Sequence, residues 1–287
     1  MGAIYRRELR SAFTGMTGAI AAAVMLLVGG LMFRYYNLYN GVLTLHYAVS
    51  NATLMFYIVV PILSMRTFSE ERKQKTDQLL LTSPVGITEI VLGKYLALIT
   101  ILALPTAVFC FYPLIMLSFG AETLLWDYIC IMLFYLMGCA YLAVGMFIST
   151  CTESMVIAAI LSILFVFVTQ MLSSAFTIIG SSAFSSLLFL IVLALLAGLL
   201  CLYMTRHYYL SLGLFAALAV TFSVLYLVRQ DWFSGRSESL LRVLDFSTHF
   251  TAACAGSVSI SNLLFFVSYI VIGVVLTVQS VAGRRWN

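Results

Sequence analysis

Charge is scarce in this chain. Of its 287 residues, 15 are Lys or Arg and 11 are Asp or Glu, 9% in all, with a formal net charge of +4. Water-soluble domains run nearer a quarter charged, so an ordinary hydrated surface is excluded. The small net charge gives no basis for a nucleic-acid partner. Motifs that carry chemistry are missing too. The only Gly-Lys pair, Gly93-Lys94, follows Gly86 at the wrong spacing for a phosphate loop and precedes Tyr95. The chain therefore does not bind ATP in the usual GxxxxGK[ST] manner. No HExxH and no GxSxG occurs. The six cysteines, Cys110, Cys130, Cys139, Cys151, Cys201 and Cys254, form no CxxC pair, and most lie in apolar runs. They read as small hydrophobes, with neither a disulfide nor a metal site expected. His46, His207 and His249 fall between the apolar runs, so no buried metal or proton-relay cluster is expected either. Charges deep inside the runs are absent, which disfavours an ion-coupled carrier. The polar groups there are mainly hydroxyls and amides, such as Ser162, Thr169 and Gln170, and Gln170 reads as a helix–helix hydrogen-bonding residue.

Apolar residues, by contrast, make up 63% of the chain, and the mean hydropathy is +1.07. No water-soluble core could hide that much apolar surface, so lipid is the solvent for much of the chain. With about 20 apolar residues needed per helical span, the runs predict eight spans, near 16–35, 52–67, 89–118, 126–149, 155–179, 184–204, 208–228 and 260–281. The runs are continuous rather than alternating, which favours helices over barrel strands. The third run is too long for one perpendicular span and holds Pro105 and Pro113, so it is expected to tilt, kink or break near its outer end. Pro61 is a candidate bend in the second. The fold class is thus an all-α polytopic helical bundle.

Orientation follows from the Lys/Arg bias. With the N-terminus inside, the inner side holds Arg6, Arg7, Arg10, Arg66, Arg72, Lys73, Lys75, Lys94, Arg206, Arg284 and Arg285. The outer side holds Arg34, Arg229, Arg236 and Arg242. Both termini are then cytoplasmic. The first apolar run lacks a small-x-small cleavage site and reads as a retained span. Short connections leave one membrane domain over 1–287. It includes an amphipathic lead-in at 1–15, a charged cytoplasmic region at 66–88 and an extracytoplasmic segment at 229–259. Within that last segment, residues 239–246 read as an interfacial helix. Ala19-x-x-x-Ala23 and Ala194-x-x-x-Gly198 have the spacing for close helix packing.

Residues 66–94 concentrate nine of the 26 charges: Arg66, Glu70, Glu71, Arg72, Lys73, Lys75, Asp77, Glu89 and Lys94. Thr67 with Glu70 fits a capping box. Glu71 and Lys75 are spaced i,i+4, and Glu70 and Lys73 i,i+3. Ser83-Pro84 suits a turn or helix start, and Thr88 is placed to cap the third span, with Glu89 in its first turn. Two readings stand side by side: a charge-neutralised loop that sets topology, and a surface that meets a partner in the water.

The string from Phe68 to Ala97 resembles the region after the second span of type-2 ABC transporter permeases. It carries Glu70-Glu71-Arg72, Thr76, Leu79-Leu80-Leu81-Thr82-Ser83-Pro84 and the Gly93-Lys94 opening of the third span. The N-terminal YRRELRSAF and the closing residues from His249 to Trp286 fit the same family. The likeness is greatest to permeases of the gliding-motility and copper-site-maturation systems. That family has a six-span core, so 184–228 would add two spans. The resemblance implies a bacterial exporter subunit in the cytoplasmic (inner) membrane that is not itself an enzyme. It would pair with a second copy or a related permease around the pathway, and a separate ATP-binding subunit would hold ATP and Mg, with no cofactor on this chain. An extracytoplasmic accessory protein would be an optional further partner. The coupling helix after the second span would dock the ATPase through Phe68, Glu70, Glu71, Arg72, Lys75, Leu79, Leu80, Ser83 and Pro84. The inner turn at 150–154 would supply Thr152 and Glu153 as a secondary contact. The rival classes are a membrane scaffold worked by the same ATPase without moving a solute, and an ion-coupled carrier.

Overall fold

In the computed structural model, the described residues are 2–75, 86–121, 124–179, 245–255 and 260–285. Two units are distinguished: residues 1–168 with 249–287, and residues 169–248. The expected spans at 184–204 and 208–228 lie outside the described residues, as does the interfacial helix expected at 239–246 except for its last two residues.

The elements of the first unit follow the apolar runs. An amphipathic helix α1 (Gly2–Thr14) ends at a two-residue turn in which Met16 takes a left-handed φ of 61°. Helix α2 (Thr17–Phe33) follows, extended by a π-helical turn over Arg34–Tyr39. Next come α3 (His46–Ala52), a 3₁₀ turn (Thr53–Met55) and α4 (Phe56–Ser64), which runs through Pro61. The second span thus starts six residues earlier than the apolar run predicts, because the polar groups of its first turns are answered locally. Asn51 Nδ2 donates to Tyr47 O, and Thr53 Oγ1 to Ser50 O.

A short helix α5 (Ser69–Lys73) precedes α6 (Ile87–Phe109). The expected break in the third run is present. Helix α6 stops at Cys110, and α7 (Tyr112–Ser118) starts afresh with Pro113 in its first turn, where a missing N–H costs nothing. Gly86, not Thr88, precedes α6, and no side chain caps it; Glu89 does sit in its first turn. Helix α8 (Leu124–Cys151) is followed by α9 (Met155–Ile179), α10 (Phe246–Cys254) and α11 (Ile260–Arg285). No strand occurs among the described residues. Five described helical stretches are long and apolar enough to cross a membrane: Thr17–Tyr39, His46–Lys73, Ile87–Ser118, Leu124–Cys151 and Ile260–Gly283.

Helix α8 is the buried centre of the first unit. Phe134, Met137, Ala140, Tyr141, Leu142, Ala143 and Met146 along it are fully enclosed. In lipid, where tails are as apolar as leucine, such packing rests on close approach and dispersion rather than on the hydrophobic effect. Two glycines permit that approach. A Cβ on Gly273 of α11 would lie 2.9 Å from the Ala143 carbonyl carbon, and one on Gly145 would lie 2.7 Å from Ser64 Oγ. Ser64 Oγ in turn sits 3.4 Å from Ser162 Oγ of α9. On α2 the buried stripe is Gly18, Ala21, Met25, Gly29 and Phe33. Ala19 and Ala23, the pair expected to pack closely, are exposed on another face. The outward surface is apolar, with Leu27, Leu31, Leu164 and Leu264 all exposed, as a lipid-facing bundle requires.

Polar contacts fasten the far end of the first unit, away from α5. Asp127, buried in the first turn of α8, accepts the Leu45 N–H at 3.0 Å where α3 begins. His249 Nδ1 meets Asn262 Oδ1 at 2.9 Å, and its ring stacks on Phe265 at 4.2 Å. The closing pattern from His249 onward is therefore a clasp between the residues before α11 and α11 itself. In the second unit, Asp245 caps α10 by accepting the N–H groups of Ser247 and Thr248, and Thr169 and Gln170 are buried.

Candidate coupling site

The charged region begins where α4 unwinds. Thr67 turns back, its hydroxyl donating to Ser64 O at 2.6 Å, so it is not free to cap α5. The capping box expected from Thr67 and Glu70 does not form. Its place is taken from 80 residues away. Ser149 Oγ, at the end of α8, accepts the N–H groups of Phe68 and Ser69 at 3.2 and 3.1 Å. Ser69 Oγ donates back to Ser149 O at 3.2 Å. Two donors orphaned at a helix start are thereby satisfied by another helix. The short α5 stands because α8 holds its first turn, since five residues are too few for a self-supporting helix.

Arg72 extends the same attachment. Its guanidinium donates to Thr150 O at 3.1 Å and to Glu153 Oε1 at 2.7 Å. The two segments singled out from sequence, 66–88 and 150–154, are thus in direct contact. The Glu153 side chain remains 75% exposed, so the ion pair itself contributes at most about 1 kcal/mol. Thr152 makes only a local hydrogen bond, to Ser154 O.

The other face of α5 meets a lysine. Lys94 lies seven residues into α6, its side chain only 1% exposed. Its Nζ donates to Thr67 O at 2.7 Å and pairs with Glu71 Oε1 at 2.8 Å and Glu8 Oε1 at 3.3 Å. The Phe68 ring lies 5.0 Å from the same ammonium. From α1, Arg7 closes the ring of charges, reaching Glu8 Oε1 at 2.7 Å and Glu71 Oε1 at 3.0 Å. Two cations face two carboxylates, which is the condition for keeping such charges away from water. Burial pushes the Glu8 carboxyl up, but Lys94 and Arg7 together outweigh it and hold the group below its ordinary value. Beside this cluster Arg66 grips Glu70 in a two-point pair at 2.7 and 3.0 Å. A polar cavity of about 70 Å³, lined by Glu8, Ser11, Thr17, Arg66 and Glu70, lies against Lys94. Tyr5 adds a hydrogen bond to Thr100 of α6 at 3.2 Å.

Three of the four charges of α5, those of Glu70, Glu71 and Arg72, are therefore committed inside the chain. Glu70 goes to Arg66 and Glu71 to Arg7 and Lys94, in place of the expected partners Lys73 and Lys75. Phe68, expected to be an anchor for another protein, is buried within this one. Lys73, Gln74 and Lys75 are exposed, and Lys75, two residues past the end of α5, takes a left-handed φ of 56°. Leu79, Leu80, Ser83 and Pro84 lie outside the described residues. Sequence reasoning missed Glu8, Ser149 and the role of Lys94. For Lys94 a signal existed: one lysine inside IVLGKYLALIT is either expensive or paired. Nothing marked Ser149. No group of side chains able to hold a metal ion occurs among the described residues.

Placed against known proteins, residues 38–216 match the model of the family described as ABC-2 family transporter proteins. The match covers more than half of the chain and includes both α5 and the 150–154 turn. No curated protein matches the chain.

Proposed function

The chain belongs to the ABC-2 family of transporter proteins, and on that premise we propose that it is the permease half of an ATP-driven exporter, worked by a separate ATPase that docks beside α5. In this reading eight spans place both termini in the cytoplasm and the protein in the cytoplasmic membrane. A second copy or a related permease completes the pathway. ATP and Mg belong to the ATPase.

The observation that carries this reading is the attachment of α5. One short helix is joined to α8 through Ser149 and Arg72, to α6 through Lys94, and to α1 through Glu71 and Arg7. A push on α5 cannot be absorbed locally, because each attachment is a short polar contact and several are buried. It moves α1, α6 and α8 as a body, the kind of rigid shift that ATPase closure delivers. Phe68, Glu70, Glu71 and Arg72 then transmit the movement rather than touch the ATPase. The touching surface is Lys73, Gln74, Lys75 and Glu153, continued by Leu79, Leu80, Ser83 and Pro84.

The test is co-purification of the ATPase and its hydrolysis rate in liposomes. Charge reversal in Lys73→Glu/Lys75→Glu and in Glu153→Lys is expected to weaken ATPase binding about ten-fold, with permease melting unchanged in the first and lowered by only about 2 °C in the second, where the Arg72 pair is lost, since rim charges set encounter and register more than fold. Undiminished partner binding and undiminished stimulated hydrolysis in both variants would sink the docking assignment.

A further inference from the structure

One charged surface is only partly used by the coupling site, which takes Arg7 but not Arg6 or Arg10. Arg6, Arg7 and Arg10 of α1, with Ser11 and Thr14, line an open groove of about 490 Å³. Arg6 and Arg10 are exposed, and among the described residues neither pairs with a carboxylate. The opposite face of α1 is fixed inward by Tyr5 on Thr100 and Glu8 on Lys94. The arginines therefore cannot turn in to find partners. Two large apolar side chains are exposed near the same end, Phe13 at 41% and Met16 at 68%. Three residues after α1 ends, the first candidate span begins at Thr17.

We infer that this groove holds the phosphate headgroup of an anionic phospholipid, with Arg6 and Arg10 on the phosphate and Phe13 and Met16 in the acyl boundary. Charge complementarity selects an anion, and guanidinium groups suit phosphate oxygens in particular. Chain continuity with α2 sets the depth: a helix joined to a span by two residues lies at headgroup level. Exposed apolar side chains beside the cations are the pattern of a helix lying in an interface. An acidic soluble segment would satisfy the arginines but leave Phe13 and Met16 in water. Arg7, already shared between Glu8 and Glu71, links the lipid to the coupling cluster without being needed to hold it.

This goes beyond the transport reading and requires only that α1 lies at a bilayer surface. The assay uses the permease alone, so a failed ATPase docking leaves its outcome untouched. The full chain in neutral detergent is titrated with phosphatidylglycerol, and separately with phosphatidylcholine of the same acyl chains, and bound lipid is counted by native mass spectrometry. Phosphatidylglycerol should bind more tightly than phosphatidylcholine. A basic side chain near an anionic surface is worth about five-fold in binding, so Arg6→Gln/Arg10→Gln should weaken phosphatidylglycerol about 25-fold and leave phosphatidylcholine unchanged. Arg6→Lys/Arg10→Lys keeps the charge and should retain most of the affinity. Equal affinity for the two lipids, or phosphatidylglycerol binding that survives the double glutamine variant, overturns the proposal. So does its displacement by millimolar inorganic phosphate at matched ionic strength, which would make the groove a simple anion site.

Discussion

Lys94→Met is the sharpest perturbation the coupling cluster offers. Methionine keeps the length and apolar stem of lysine, so packing against Phe68 is nearly preserved. What disappears is the ammonium that serves Thr67 O, Glu71 and Glu8 at 2.7, 2.8 and 3.3 Å. Two carboxylates then remain, with only Arg7 between them, and Arg7 is 54% exposed. Breaking a buried pair from one side costs about 3–5 kcal/mol. An escape route caps the loss: one carboxyl can take a proton. Starting from the ordinary value of 4.5, that costs about 3.4 kcal/mol at pH 7. The expected destabilisation is therefore on the order of 3 kcal/mol, or about 5 °C in melting temperature for a chain of this size. Arg7→Gln removes a wetter partner of the same two carboxylates and should cost under about 1 kcal/mol.

The pH dependence carries the stronger check, because the two proteins should differ in sign. In the wild type Glu8 is held below its ordinary value. Its contribution is complete above about pH 4.5 and is lost as pH falls through the lower folded value. In Lys94→Met the burial of Glu8 loses the largest charge that opposes it, so its folded value is expected to rise above the unfolded one. Its penalty is greatest at neutral pH and fades as the solution is acidified towards pH 5. Thermal melts of the purified chain in detergent at pH 7 and pH 5 read both trends. Adding Glu8→Gln and Glu71→Gln to Lys94→Met should recover most of the loss. If Lys94→Met melts within a degree or two of Arg7→Gln and shows no gain on acidification, the buried charge cluster is not what holds this end of the bundle.

Two other outcomes follow from the same structure. Ser149→Ala removes the acceptor for two N–H groups at the start of α5. It should cost about 1–2 kcal/mol and speed amide exchange at Phe68 and Ser69, whereas unchanged exchange there would show that α5 holds itself. For topology, single cysteines at Ser237 and Ser259 in a cysteine-free background should react with an impermeant thiol reagent from outside, and cysteines at Gln74 and Asn287 should not; outside labelling at Gln74 would reverse the orientation.

How far the sequence could be read depended on whether a feature is local. The helices of the first unit follow from run length and hydropathy, properties of consecutive residues, and so does the break between α6 and α7, since Pro113 acts on its own neighbours. The charged region at 66–75 was visible for the same reason. Its pairing was not, because i,i+3 and i,i+4 rules assume a helix free in water. Here the chain turns at Ser64 against two other helices, and the carboxylates reach cations that tertiary packing has already brought close. Glu71 prefers Lys94 to Lys75 because Lys94 is held by α6 with little rotamer freedom left to lose, while Lys75 is a flexible side chain in solvent. Ser149 shows the limit most clearly. A serine near the end of an apolar helix is an ordinary residue until a helix start 80 positions earlier in the chain lands on it. The same reasoning explains why Phe68 could be recognised as important but not placed. Sequence marks a large apolar side chain beside charges as one that must be covered, and only the fold says that the covering is Lys94 and α8 rather than another protein. For a coupling element this distinction matters mechanically. Under the proposed coupling role, an anchor buried in the partner would make α5 part of the ATPase, whereas an anchor buried at home would make it the chain's own lever, with Lys73, Lys75 and Glu153 as the proposed surface on which force is applied.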